Sequence, residues 1–127
     1  MGKRILVIDD EVLLVDLLGH FLTKGGYQVD KVSDSQAGLS LLEEKQFDVI
    51  FLDIKMPQIS GREFYQIVRE RIPELSGRIV FVTGDVANRV TQSFIQSTGN
   101  ICLKKPFTLR EIQEVLDHFF GAGGKPQ

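Results

Sequence analysis

Apolar positions along the chain follow two alternating rhythms. Short runs rich in β-branched residues, KRILVI (3–8), YQVDKV (27–32), DVIFLD (48–53), RIVFVT (78–83) and NICLK (100–104), have the length and composition of strands. Between them, apolar residues recur at helical spacing. Leu13, Leu14, Leu17, Leu18 and Phe21 mark one face of a first helix, and Ala37, Leu41 and Leu42 mark a second. Phe64, Ile67, Val68 and Ile72 give a third, Val86, Val90, Phe94 and Ile95 a fourth, and Leu109, Ile112, Val115, Leu116 and Phe119 a fifth. The pattern predicts five strands alternating with five helices.

Local punctuation agrees with these boundaries. Asp34, Ser60 and Thr108 stand where N-caps belong, and Glu111, three residues after Thr108, completes a capping-box pattern. Gly25-Gly26, Gly77 and Gly99 fall at helix ends or in the loops that follow. Repeated βα units imply a parallel sheet with right-handed crossovers and helices on both faces. At 127 residues the economical arrangement is a flavodoxin-like α/β three-layer sandwich, (βα)5, with strand order 2-1-3-4-5. Residues 1–120 are read as one domain. The segment GAGGKPQ (121–127) loses the apolar period and is expected to be a disordered tail or the start of a linker.

Composition narrows the function classes. A formal net charge of −2, with Lys and Arg scattered along the chain, supplies no field to attract nucleic acid or an anionic membrane. Cys102 is the single cysteine, which excludes an internal disulfide or a cysteine-based zinc cluster and fits a reducing compartment; it reads as a small buried hydrophobe. No apolar run approaches the roughly 20 residues that span a bilayer, and the chain leads straight into a charged strand, so a cytoplasmic protein without signal peptide or membrane anchor is expected.

The chemistry gathers at strand ends. In an open parallel sheet, ligands bind beyond the carboxyl ends of the strands, near the point where strand order reverses. Asp9 and Asp10 close the first strand, Asp53 the third and Thr83 the fourth, while Lys105 lies just past the fifth. These polar groups should converge on one edge. Like charges roughly 4 Å apart cost about 4 kcal/mol at an effective dielectric of 20, so carboxylates placed together require a cation. Lys105 supplies one charge, and the excess suits a hard divalent ion such as Mg²⁺, or alternatively Mn²⁺, held by oxygen ligands. Glu11 begins the first helix, where an anion favours the dipole. Beside such an ion, Asp53 could attack a phosphoryl group whose oxygens are neutralised by the ion, Lys105 and the Thr83 hydroxyl, giving an aspartyl-phosphate.

VIDDE (7–11), FLDIKMPQISG (51–61), FVTG (81–84) and KPF (105–107), in this order and on this βα alternation, resemble the receiver domains of two-component response regulators over residues 3–120. The resemblance implies that Asp53 is the phosphoacceptor. It also implies that Asp10 ligates Mg²⁺ directly and Asp9 mainly through water, with the Lys55 carbonyl as a further ligand. Thr83 would be the switch hydroxyl and Lys105 the phosphoryl contact, set by a cis Lys105-Pro106 bond; Met56, Pro57 and Gly61 would shape the loop after Asp53. The expected donor is a sensor histidine kinase or a histidine phosphotransfer protein, and the product would be hydrolysed later. The switch would reshape the fourth helix, fifth strand and fifth helix for an unidentified downstream protein, with this domain a monomer or weak dimer that binds neither nucleic acid nor membrane. The stretch 81–107 is similar to receivers attached to hybrid histidine kinases.

Two features depart from that family's pattern or add to it. Many receivers carry Tyr or Phe three residues before the site lysine; here that residue is Cys102, so the aromatic toggle is missing. Lys55 and Asp85, each two residues past a site residue, should flank the entrance with opposite charges and tune access of water. His20 and His118 lack metal-ligand spacing. Among other readings, an aspartate-nucleophile Mg²⁺ phosphatase would want a second Asp two residues after Asp53, where Lys55 stands. A flavodoxin would want a Ser/Thr-rich phosphate loop after the first strand. A phosphate-independent interaction module would not need Asp9, Asp10, Asp53, Thr83 and Lys105 together. The expected protein is a signalling switch and not an enzyme acting on other molecules.

Overall fold

The computed structural model describes residues 2–56, 58–85 and 87–121. Five strands, β1 (Arg4–Ile8), β2 (Gln28–Val32), β3 (Val49–Asp53), β4 (Ile79–Thr83) and β5 (Cys102–Lys104), form one parallel sheet of order β2-β1-β3-β4-β5. The helices are α1 (Val12–Lys24), α2 (Ser35–Glu44), α3 (Gly61–Arg71), α4 (Pro73–Ser76), α5 (Arg89–Thr98) and α6 (Leu109–Phe120). The fold class and strand order are those expected from the sequence.

Alternation along the central strands builds two cores. Ile5 and Val7 of β1, Val49 and Phe51 of β3, and Val80 and Val82 of β4 pack with Val15, Leu18 and Leu22 of α1 and Ile112, Val115 and Leu116 of α6. Leu6, Ile8, Ile50, Leu52, Ile79 and Phe81 point the other way, onto Phe64, Tyr65 and Val68 of α3, with Leu39, Leu41 and Leu42 of α2 and Phe94 and Ile95 of α5 at the margin. Each such side chain fully withdrawn from water contributes about 1.5–3 kcal/mol, so β1, β3 and β4 are a rigid base for whatever lies at their ends.

Several helix details differ from the sequence reading. A sixth helix, the single turn α4, follows α3 because Pro73 cannot continue the preceding ladder and Ile72 takes non-helical φ/ψ of −138° and 68° before it. α1 buries Val15, Leu18, Gly19 and Leu22, leaving the expected face residues Leu13 and Leu17 86% and 54% exposed. Val90 is likewise 69% exposed, and α5 begins only at Arg89, capped by Asn88, whose carboxamide oxygen accepts the N–H groups of Val90 and Thr91. Cys102 is half-buried rather than fully enclosed. The expected N-caps Asp34, Ser60 and Thr108 are all formed, the last two as full capping boxes with Glu63 and Glu111. Pro57, Val86 and 122–127 of the tail lie outside the described residues.

Candidate functional site

Strand register assembles the site. β1 and β3 pair with Ile8 opposite Leu52, which brings Asp9, the next residue, level with Asp53 on the neighbouring strand. β3 and β4 pair with Asp53 opposite Val82, and β4 and β5 with Thr83 opposite Lys104, so Lys105 emerges at the same edge. Adjacent strands lie about 4.8 Å apart. Residues separated by more than 90 positions are thus neighbours through sheet geometry alone.

Short turns then aim the carboxylates. The Glu11 N–H donates to Asp9 Oδ1 at 2.9 Å, and the Lys55 N–H donates to Asp53 Oδ1 at 3.1 Å. That leaves the other oxygens of both aspartates for Lys105, whose Nζ lies 3.0 Å from Asp9 Oδ2 and 3.2 Å from Asp53 Oδ2. Lys105 also contacts the Glu11 carboxylate. Its backbone N–H donates to the Thr83 carbonyl at 2.8 Å, and the Lys105-Pro106 bond is cis, as expected. Asp9 and Asp53 are only 4% and 6% exposed, whereas Asp10 is exposed.

The electrostatics follow from that burial. Asp53 is pushed up to about 6, by desolvation first and the Asp9 charge second, against the opposing pull of Lys105 and the Lys55 N–H. Burial works to lower Lys105, but hydrogen bonds to Glu11 and Asp9 and the Asp53 charge outweigh it, and its ammonium is held above the ordinary lysine range. One oxygen from each of Asp9, Asp10 and Asp53 can be chosen so that all three lie within 4.8 Å of one another. An all-oxygen set with one strongly disfavoured buried charge fits a hard divalent cation such as Mg²⁺.

Thr83 is buried at the end of β4, and its hydroxyl accepts the Asp85 N–H at 3.0 Å rather than touching the carboxylates. Lys55 Nζ and Asp85 Oδ2 pair at 2.9 Å across the mouth, which confirms the opposite charges expected there, and Lys55 holds the Asp85 carboxyl below its ordinary range. Glu11, Asp53, Lys55, Gly84, Asp85 and Lys105 line an open depression of about 470 Å³. Two features escaped the sequence. Glu11 is the α1 N-cap residue but makes no side-chain cap bond; its carboxylate serves Lys105 instead. Phe81, Tyr65 and Phe94 form a ring cluster with centroids 5.3–5.7 Å apart, beside Cys102. It supplies aromatic packing where β5 itself has none.

A doubly wound parallel sheet with an acidic cluster, a buried lysine bridge and a hydroxyl at its carboxyl edge defines the class of receiver-type α/β domains. The chain belongs to the response regulator receiver domain family, whose sequence profile matches residues 5–117. It is 28% identical over 120 residues to a probable chemotaxis protein CheY of Rhizobium etli, covering 94% of this chain and 93% of that protein. It is 32% identical over 115 residues to the transcription factor SKN7 of Saccharomyces cerevisiae, covering 91% of this chain but 18% of SKN7. The receiver domain of the sensor histidine kinase PA1611 of Pseudomonas aeruginosa superposes with a TM-score of 0.82 at 25% identity, covering 96% of this chain and all of that one. That structure holds a magnesium ion coordinated in its active-site cleft.

Proposed function

We propose that residues 1–120 act as a phosphoaccepting signalling switch. Asp53 takes a phosphoryl group from a phosphohistidine on a sensor kinase or phosphotransfer protein. The observation that carries this reading is the lysine bridge: Lys105 Nζ within 3.2 Å of both Asp9 and Asp53 at the sheet's carboxyl edge. Asp9, Asp10, Asp53 and the Lys55 carbonyl would hold Mg²⁺, which supplies charge neutralisation to the phosphoryl oxygens when bound. The magnesium seen in the PA1611 receiver supports that assignment.

In the transfer, an Asp53 oxygen forms a bond to phosphorus as the phosphorus–nitrogen bond breaks, and the histidine leaves with that electron pair. Lys105 keeps its proton throughout, being held above the ordinary lysine range, and remains a cationic contact for a phosphoryl oxygen. The Thr83 hydroxyl, now an acceptor for the Asp85 N–H, carries a proton it can donate to the same group after a side-chain rotation. Later attack by water on phosphorus releases phosphate and restores the Asp53 carboxylate. Lys55, two residues past Asp53, offers no carboxylic acid for leaving-group protonation, so the chemistry stays on the domain's own aspartate. A cytoplasmic location accords with this donor, and among the described residues no helix is long and apolar enough to cross a membrane.

The test is intact mass after incubation with acetyl phosphate and Mg²⁺, then with a phosphorylated histidine donor. One phosphoryl group is expected on the wild type and none on Asp53→Ala or with a chelator. Failure with both donors would make a phosphate-independent interaction module the better account.

A further inference from the structure

A second feature lies away from the carboxylates, between α3 and α5. Arg62, Arg89, Val90, Ser93, Phe94 and Ser97 line an open groove of about 450 Å³. Arg62 is the second residue of α3, and Arg89 is the first residue of α5. Helix N-termini carry positive partial charge, so a cation in the first turn is disfavoured. Here two helices each place one there, on the same groove. Neither guanidinium forms a salt bridge among the described residues. α5 has no acidic residue in its first turn to offset Arg89, and Glu63 of α3 is engaged by the Ser60 N–H in the capping box. The groove therefore holds two guanidinium groups with no ion-pair partner among the described residues.

Its floor is apolar. Val90 is 69% exposed, and Phe94 is half-buried, with the Arg62 guanidinium 5.5 Å from its ring centroid. That contact orders the long Arg62 side chain over the ring, which lowers the entropy lost when an anion pairs with it. An arginine beside an open apolar residue suits a carboxylate beside an apolar side chain. A nucleic acid fits less well, since the chain's net charge is −2 and Val90 has nothing to contribute to phosphate recognition.

We propose that the α3–α5 groove docks a short acidic peptide segment of a partner protein. One apolar side chain of that segment lies on Val90 and Phe94, and its carboxylates pair with Arg62 and Arg89.

The experiment is selection of random 12-residue peptides displayed on phage against the immobilised, unphosphorylated protein, followed by fluorescence-anisotropy titration of the enriched sequences. The expected peptides combine Asp or Glu with an aromatic or branched aliphatic residue. Arg62→Glu with Arg89→Glu should weaken their binding by at least about tenfold, and Val90→Ser by about threefold. Arg89→Glu should at the same time raise the melting temperature by about 1–3 °C, because it reverses an unfavourable first-turn charge; this also shows that the variant folds. The proposal is overturned if no sequence is enriched, if enriched peptides lack acids, or if they bind the double variant equally. It is also overturned if polyglutamate or a short DNA strand binds as tightly as the peptides. Sedimentation showing wild-type dimers that the double variant loses would assign the groove to a second copy of this chain instead. Because the protein is unphosphorylated, failure here leaves the role of Asp53 untouched.

Discussion

Asp53 is the residue on which burial, repulsion and pairing meet, and its titration has a definite sign. Its carboxyl group is raised from 3.8 to about 6, so the folded metal-free protein binds a proton more readily than the unfolded chain does. The contribution of this group to stability is present in full below about pH 4 and is lost as pH rises through about 6. Lys105, raised in the folded state, loses its contribution only at strongly alkaline pH and does not mask this window. Asp53→Asn should therefore be more stable than the wild type at pH 7.5 without metal, by about 1 kcal/mol after allowance for the lost Lys105 pairing, and no more stable at pH 4. Thermal melts at the two pH values in chelator check this. Beside it, Lys55 and Asp85 bridge the mouth of the depression on the solvent side. Lys55→Ala should leave the melting temperature almost unchanged yet speed loss of the phosphoryl group roughly threefold by opening the water path. An unchanged dephosphorylation rate would reduce the pair to a surface contact.

At the scale of elements, what was legible in the sequence is what local chemistry determines. β-branched runs gave all five strands within about a residue or two, and the caps Asp34, Ser60 and Thr108 formed because their side chains need only the N–H groups of the next turn. Less legible was which stripe of α1 faces the sheet. Val12, Leu13, Leu14, Val15, Leu17, Leu18, Phe21 and Leu22 cover more than half the helix circumference, so period alone allows either face. Packing chose Val15, Leu18 and Leu22. Glu11 was unreadable for another reason: an acid at a helix start already has a local role at the dipole, and nothing in the pattern says that its carboxylate turns to Lys105 instead. Gly61 shows how tightly an element boundary can be set. A Cβ there would sit 2.7 Å from Ile54 Cα and 3.2 Å from the Asp53 carbonyl oxygen, backbone atoms of Asp53 itself and of the residue that follows it. Gly61→Ala should destabilise by about 1–3 kcal/mol, read by urea denaturation, and should shift the backbone amide resonances of Asp53 and Lys55 more than those of β2.

For the whole molecule, the decisive quantity is how much folding energy the acidic edge withholds until a cation arrives. The two cores bury Phe51, Phe64 and Phe81 almost completely and fix β1 and β3 side by side, so Asp9 and Asp53 cannot separate to relieve their repulsion without breaking the Ile8–Leu52 register. Lys105 compensates part of that repulsion but is itself drawn to Glu11, and the exposed Asp10 contributes a third carboxylate close by. An ion that binds this arrangement and not the unfolded chain stabilises by mass action, about 2.7 kcal/mol at a free concentration 100 times its dissociation constant. For a domain of 127 residues that corresponds to a rise in melting temperature of about 10 °C. Mg²⁺ should produce such a rise at pH 7.5 and a much smaller one at pH 5, where Asp53 is largely protonated and competes as a proton site. Asp10→Ala should abolish most of the shift while changing the metal-free melting temperature little, because Asp10 is exposed. Calorimetric scans with Mg²⁺, with chelator and with the variant separate these outcomes. A Mg²⁺ shift that survives in Asp10→Ala would place the ion elsewhere on the molecule and remove the electrostatic basis for phosphoryl transfer at Asp53.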